Sequence, residues 1–238
     1  MPGPSEHAHC SVGLAVYTTS ATASLLPGAV ASLRRAGVAS SSIHAVLSNA
    51  TQPAADGSMD GTHTHRRPRS FYEVSGLLWL CSQSRLLARH RSWLNLPASF
   101  LAGPRFAETL AGLQQACRRG DAAETRPLCP TQSDGLGVYA SADLARTACP
   151  SLQESLDGAA LQTEAKLRKW SHTQASLTLS RLNASSRAPL ASADRRWCWV
   201  NYIFRNVSVP LDDPHALLSV PMARAGRGPN SAASTARR

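Results

Sequence analysis

The stretch that decides the fold opens with Val12-Gly13-Leu14-Ala15-Val16-Tyr17 and the polar run Thr18-Thr19-Ser20-Ala21-Thr22. It continues through Leu25-Leu26-Pro27-Gly28-Ala29-Val30-Ala31-Ser32-Leu33-Arg34-Arg35-Ala36-Gly37 and closes on Ile43-His44-Ala45-Val46-Leu47. The outer runs are short, apolar and partly β-branched, as buried strands are. Between them Leu26, Val30, Leu33 and Gly37 recur at helical spacing. Arg34 and Arg35 occupy the last turn, and Gly37 supplies the left-handed residue that ends a helix. Strand, loop, helix, strand is one βαβ unit. Such a unit needs parallel strands, and its first loop lies at the carboxyl end of the first strand, where open α/β sheets bind ligands. The expected fold class is α/β, a mostly parallel open sheet with helices on both faces.

Working outward, Gln52 to Arg69 reads as one long polar loop with Pro53, Asp56-Gly57, Asp60-Gly61 and Pro68. His63-x-His65 has metal-ligand spacing, but no cysteine or paired carboxylates complete a site, so a solvated loop is expected. Phe71 to Arg89 reads as a helix with Val74, Leu77, Leu78 and Cys81 on one face. Trp93-Leu94-Asn95-Leu96 reads as a third strand ended by Pro97. Gly103-Pro104 opens a helix with Phe106, Leu110, Leu113 and Cys117 aligned, closed by Arg118-Arg119-Gly120. Asp121 to Ser133 reads as a second loop, and Gly135-Leu136-Gly137-Val138-Tyr139 as a glycine-containing strand or turn. A short helix over Ser141 to Ala148 and a longer one over Leu152 to Trp170, weakened at Asp157-Gly158, complete the body. Trp197 to Phe204 is the most aromatic run and reads as core. The expected organisation is a disordered start over 1–10, one α/β domain over 11–209, and a disordered tail over 210–238.

The chain has 238 residues and a formal charge of +10. Of its 25 basic residues only Lys166 and Lys169 are lysine, and the arginines are scattered in pairs such as Arg66-Arg67, Arg118-Arg119, Arg195-Arg196 and Arg237-Arg238. They form no stripe interleaved with aromatics, so a nucleic-acid partner is disfavoured. Six cysteines show no C-x-x-C pair, which removes zinc-ribbon and thioredoxin readings. Cys117, Cys129 and Cys149 are free to pair in an oxidising compartment; buried or incidental thiols are the expectation for most. No segment has the length of a membrane span, and Met1 to Cys10 lacks the apolar core of a signal peptide. A secretory location therefore requires an incomplete N-terminus. The sequons at Asn49, Asn183 and Asn206 are a mild hint towards one.

Four segments, in order, resemble glycosyltransferases of the GT-A fold, which use nucleotide-sugars. Leu14 to Thr19 with the helix Leu26 to Gly37 resembles their opening βαβ. Ser70-Phe71-Tyr72-Glu73-Val74-Ser75-Gly76-Leu77-Leu78-Trp79-Leu80 resembles the helix before their central strand. Trp93-Leu94-Asn95-Leu96-Pro97-Ala98-Ser99-Phe100-Leu101-Ala102-Gly103-Pro104-Arg105-Phe106 is similar to the central strand, loop and next helix. Asp134 to Tyr139 resembles a later glycine strand. The likeness covers Ser11 to Lys169.

That resemblance implies a nucleotide-sugar donor, a glycan or protein acceptor, and nucleotide contacts from Thr18, Thr19 and Ser20. The competing reading of those three is a helix cap and a plain loop. Such enzymes carry an acidic motif at the end of the central strand, because a divalent cation must bridge the donor diphosphate. Leu96-Pro97-Ala98-Ser99 offers neither carboxylate nor histidine, so no metal ligand is assigned. Arg91 and Arg105 are the cations expected to meet a diphosphate instead. Glu164 is the expected base, set against an ordinary i,i+4 pair with Arg168. An acid arriving at Ala98 from Asp134, Asp143 or Glu164 would restore catalysis. The alternatives are a non-catalytic interaction protein on the same scaffold and a basic nucleic-acid-binding protein, which requires the arginine pairs to converge on one face.

Overall fold

The computed structural model describes residues 10–18, 20–48, 57–102, 106–128, 136–159, 163–182 and 218–219. The βαβ unit forms as its periodicity predicts. β1 (Val12–Thr18) is buried at every position. A 3-10 turn over Ser20–Leu25 leads into α1 (Leu26–Arg35), and β2 (Ile43–Ser48) pairs with β1 in parallel, Leu14 opposite Ile43 and Thr18 opposite Leu47. Gly37 has φ 85°, and its N–H donates to Arg34 O at 3.0 Å, closing the helix as expected of a left-handed glycine.

The polar stretch that follows is not one loop. β3 (Gly57–Met59) and β4 (Thr62–Arg67) form an antiparallel hairpin. Its turn is Asp60-Gly61, at φ 50° and 77°, the left-handed pair that tight hairpins take and Asp-Gly supplies. β4 then joins β2 in parallel, with His44 opposite His63 and Val46 opposite His65. The strand was hidden because Thr62-His63-Thr64-His65-Arg66-Arg67 is polar at both parities, so no apolar alternation marks it.

The predicted helix from Phe71 breaks into a 3-10 turn over Tyr72–Val74, then α2 (Ser75–Cys81) and α3 (Ser84–Leu87). β5 (Ser92–Pro97), the short β6 (Leu101–Ala102) and α4 (Phe106–Arg118) follow. β7 (Arg126–Pro127) and β8 (Gly137–Ala140) come next. α5 (Ser141–Asp143) runs through a π turn at Leu144–Ala148 into α6 (Cys149–Ala159), and α7 (Glu164–Arg181) is the longest helix described. The expected helix over Leu152 to Trp170 is thus two helices.

Seven strands form one sheet in the order β3-β4-β2-β1-β5-β8-β7. β1 pairs in parallel with β2 and β5, and β2 with β4. The β3–β4, β5–β8 and β7–β8 pairings are antiparallel. The sheet is therefore mixed, which corrects the mostly parallel expectation. The cause lies after α4: β7 returns upward and β8 descends between it and β5 as a hairpin partner. β9 (Leu218–Ser219) pairs antiparallel with β6, so these two residues of the expected disordered tail are tied to the body. The rest of that tail, residues 1–9 and Trp197 to Phe204 lie outside the described residues.

Alternate residues of the central strands feed two cores, one on each face. Leu14, Val16, Ile43, Ala45, Leu94 and Leu96 pack with Leu26, Val30 and Leu33 of α1 and with Phe106 and Leu110 of α4. Ala15, Tyr17, Val46 and Trp93 pack on the other side with Leu77 and Leu80 of α2, Leu152 of α6 and Leu179 of α7. Gly13 is required on this second side: a Cβ there would stand 2.6 Å from the indole of Trp93. Two disulfides form: Cys10–Cys117 ties the start of β1 to α4, and Cys81–Cys149 joins two helices of one face, α2 and α6. This replaces the expectation of incidental thiols and of pairing among Cys117, Cys129 and Cys149. α4 carries the chain back to the edge where β1 begins, which sets Cys117 beside Cys10. α2 packs against α6, which sets Cys81 beside Cys149.

Candidate functional site

β1, β2, β4 and β5 run in one direction and end at a common carboxyl edge. From β1 the chain proceeds outward through β2 to β4, then crosses to β5 on the other side of β1. The strand order reverses between β1 and β5, and a crevice at such a switch point is where open α/β sheets hold ligands. Thr18 ends β1 there. It is 1% exposed, and its Oγ1 has no hydrogen-bond partner among the described residues. Ser20 opens the 3-10 turn beyond it; Thr19 and Arg105 lie outside the described residues. Beside it the Ala98 N–H donates to Tyr17 O at 2.9 Å, one more rung of the β1–β5 ladder, so the two strands stay paired to their ends.

The other expected charges divide between edges. Arg91 precedes β5 at the opposite, amino edge, where its Nη1 lies 3.6 Å from Cys117 Sγ. It cannot serve a diphosphate at the crevice, which corrects that expectation. Asp143 follows β8, which descends to the same amino edge, and its carboxylate accepts from Thr125 Oγ1 at 2.7 Å and from Arg146 Nη2 at 3.3 Å. It does not reach Ala98. Asp134 lies outside the described residues. Glu164 starts α7 at the carboxyl edge, but on the α2 face, whereas Ala98 belongs to the core under α1 and α4. The arginine pairs also diverge: Arg34-Arg35 and Arg118-Arg119 end helices at the amino edge, and Arg66-Arg67 end β4 at the carboxyl edge.

Glu164 has a more specific surrounding than an i,i+4 pair. The Tyr72 hydroxyl donates to Glu164 Oε1 at 2.6 Å, and the Arg168 guanidinium lies 6.0 Å from the Tyr72 ring centroid. Tyr72 itself is held at φ 46°, a left-handed conformation that a bulky side chain adopts only under constraint. The constraint is visible. Ser70 Oγ accepts the Tyr72 N–H at 3.1 Å and Ser75 Oγ accepts the Phe71 N–H at 2.8 Å. Ser171, fully buried on α7, accepts the Val74 N–H at 3.3 Å. Its hydroxyl proton is within reach of Phe71 O at 2.7 Å and Glu73 Oε2 at 2.8 Å. From beneath, Asn95 Nδ2 donates to Glu73 O at 3.3 Å.

The result is an open cavity of about 720 Å³ between the 3-10 turn and the first turns of α7, walled by Tyr72, Glu73, Glu164, Arg168, Lys169 and His172. Burial, reinforced by the hydrogen bond and charge of Glu164, raises the Tyr72 phenol to about 12. The phenol therefore stays protonated at neutral pH and serves as a donor. Sequence reasoning singled out Glu164 and its neighbour Arg168 but missed Tyr72. The available signal was Asn95, a lone amide inside the apolar run Trp93 to Leu96, fully buried and so obliged to bind something.

A second cluster is built from imidazoles. His44 on β2 stacks on His63 with centroids 4.9 Å apart. Its Nδ1 lies 3.2 Å from His65 Nε2, with ring centroids 5.5 Å apart. Nitrogens this close between centroids this far apart mean that the rings meet head-on, as in a hydrogen bond, leaving no room for an ion between them. Trp79 and Trp93 pack on His44 at 5.4 and 5.5 Å. His63-x-His65 is thus part of a paired strand and not a solvated loop; no group of three metal-ligating side chains occurs among the described residues. Likewise, no described helix is long and apolar enough to cross a membrane.

No protein-family model, no curated protein and no solved structure matches the chain, so its functional reading rests on the geometry of this carboxyl edge.

Proposed function

We propose that the protein is a glycosyltransferase-like domain that binds a nucleotide-sugar at the carboxyl edge, between β1 and β5. The observation that carries the reading is the reversal of strand order at β1, the place where open α/β sheets hold ligands, at the end of the strand whose loop the resemblance assigns to the nucleotide. Thr18 supports it as a buried hydroxyl at that point. In the transfer, an acceptor hydroxyl attacks the anomeric carbon, the bond to the diphosphate breaks, and the hydroxyl proton passes to the Glu164 carboxylate. The Leu96-Pro97-Ala98-Ser99 turn offers no hard ligand for a divalent cation. Charge on the leaving diphosphate then falls to side chains, and Arg66 and Arg67 end β4 on the correct edge.

The test is thermal unfolding with UDP, GDP and their sugar conjugates, with manganese and with a chelator. A ligand at a hundred times its dissociation constant stabilises the folded state by about 2.7 kcal/mol. For a chain of this size that raises Tm by roughly 5–10 °C. The expected rise is independent of manganese. A rise that requires manganese refutes the metal-free reading. A transition indifferent to every nucleotide refutes donor binding and favours an interaction scaffold, which the acid-free turn after β5 would suit.

A further inference from the structure

The cavity beside the crevice is chemically two-sided. On one side Glu164 takes the Tyr72 hydroxyl on Oε1, leaving a carboxylate with capacity for a further hydroxyl donor. Opposite, Glu73 is engaged by Ser171. One turn further along α7, Arg168 and Lys169 place two positive charges on the same wall, and His172 follows a turn later. The half-buried ring of Tyr72 forms part of the surface between them. A polyanion suits this arrangement poorly, because Glu73 and Glu164 repel it. A neutral sugar brings no charge to meet Arg168 and Lys169. A ligand that satisfies both sides carries hydroxyls at one end, an apolar ring face in the middle and a single anionic group at the other.

We propose that this cavity binds an anionic saccharide, a sugar residue bearing one carboxylate or phosphate, with its hydroxyls on Glu164 and its anion on Arg168 and Lys169. Its role as the acceptor of transfer rests on the nucleotide-sugar reading above; the site itself rests on the cavity alone. The fixed turn at Tyr72 preorganises the hydroxyl-binding side, because four hydrogen-bonding side chains hold its backbone before any ligand arrives. The two cations supply charge-assisted hydrogen bonds, which are about twice as strong as neutral ones.

The experiment is calorimetric titration of the full chain with glucuronate, glucose 6-phosphate, glucose and inorganic phosphate, each with and without UDP. The acidic sugars are expected to bind about tenfold or more tightly than glucose, and inorganic phosphate weakly, since it lacks the ring and its hydroxyls. The carboxylate and phosphate arms identify which anion is preferred. The double variant Arg168→Gln, Lys169→Gln should lower the acidic sugars to the level of glucose. Both side chains are exposed, so an unchanged circular dichroism spectrum is the folding control. Tyr72→Phe should weaken every sugar and leave inorganic phosphate unchanged. Equal binding of glucose and glucuronate, phosphate as tight as the sugar phosphate, or no binding at all each overturns the proposal. Sugar binding without a UDP effect would retain this site and remove the donor. UDP stabilisation without sugar binding would do the reverse.

Discussion

Acid should destabilise this protein through His44, by an amount that follows from its surroundings. The ring is 2% exposed. Burial first, then His63, His65, His90 and Arg89, lower its pKa from 6.5 to about 3. In the unfolded chain His44 takes up a proton below 6.5, whereas in the folded protein it stays neutral. The unfolded state therefore binds more protons across that interval, and stability falls as pH falls, levelling off near the folded value. Each pH unit below 6.5 costs about 1.4 kcal/mol. Between about pH 7.5 and 4.5 the loss is about 2.7 kcal/mol, or roughly 5–10 °C in Tm for a chain of this size. The assay is urea unfolding at several pH values for the wild type and His44→Gln, an amide that can still bond His65. Titrating groups outside the His44, His63, His65 and His90 cluster act on both proteins alike, so the difference in slope isolates His44 together with its coupling to those imidazoles. Parallel curves would falsify the reasoning, as would an imidazole NMR titration with a midpoint near the ordinary value.

Further outcomes follow from single contacts. Gly13→Ala drives a methyl into Trp93 and should cost about 1–3 kcal/mol in denaturant unfolding, as overpacking does; a neutral result would mean that the indole moves aside freely. Ser171→Ala removes one of the two acceptors of the Val74 N–H, which also donates to Phe71 O, and the single hydroxyl proton shared between Phe71 O and Glu73. About 1–3 kcal/mol should be lost, with faster amide exchange confined to the turn around Tyr72. Replacing both Cys81 and Cys149 by alanine opens a bridge across a separation of 68 residues. Chain entropy puts that loss near 4 kcal/mol, to be read as a fall in the urea midpoint under oxidising conditions. Tyr72→Asn trades the Glu164 hydrogen bond for relief of a left-handed tyrosine, so stability should change by less than about 1 kcal/mol; a loss twice as large would show that no strain was stored there.

The parts of the fold that were legible in the sequence are those whose cause is local. β1, β2 and β5 announce themselves as short apolar runs buried on both faces, α1 and α4 by an apolar stripe at period 3.6, and Gly37 ends its helix by backbone geometry alone. β4 was illegible because it lies one strand in from the sheet edge, with partly exposed residues of both parities. Its only local mark was Asp60-Gly61, a hairpin turn read as loop punctuation. The disulfides were illegible for a different reason: Cys10 meets Cys117 across 107 positions, and nothing in the spacing of thiols records which helix returns to which edge.

The candidate site shows the same division within a few residues. Thr18 could be placed from the end of a strand. Glu164 could be singled out as an acid at a helix start, but not joined to Tyr72, 92 positions away. The pair depends on a conformation that local preference opposes, since tyrosine avoids φ 46°. Ser70, Ser75, Ser171 and Asn95 hold it there from four directions, and three of the four are otherwise unremarkable polar residues. A left-handed tyrosine costs about 1–3 kcal/mol, comparable to the net worth of one or two of those bonds. Four bonds outweigh that cost, so the turn holds its left-handed tyrosine with no ligand bound and fixes where a phenol and a carboxylate stand at the carboxyl edge.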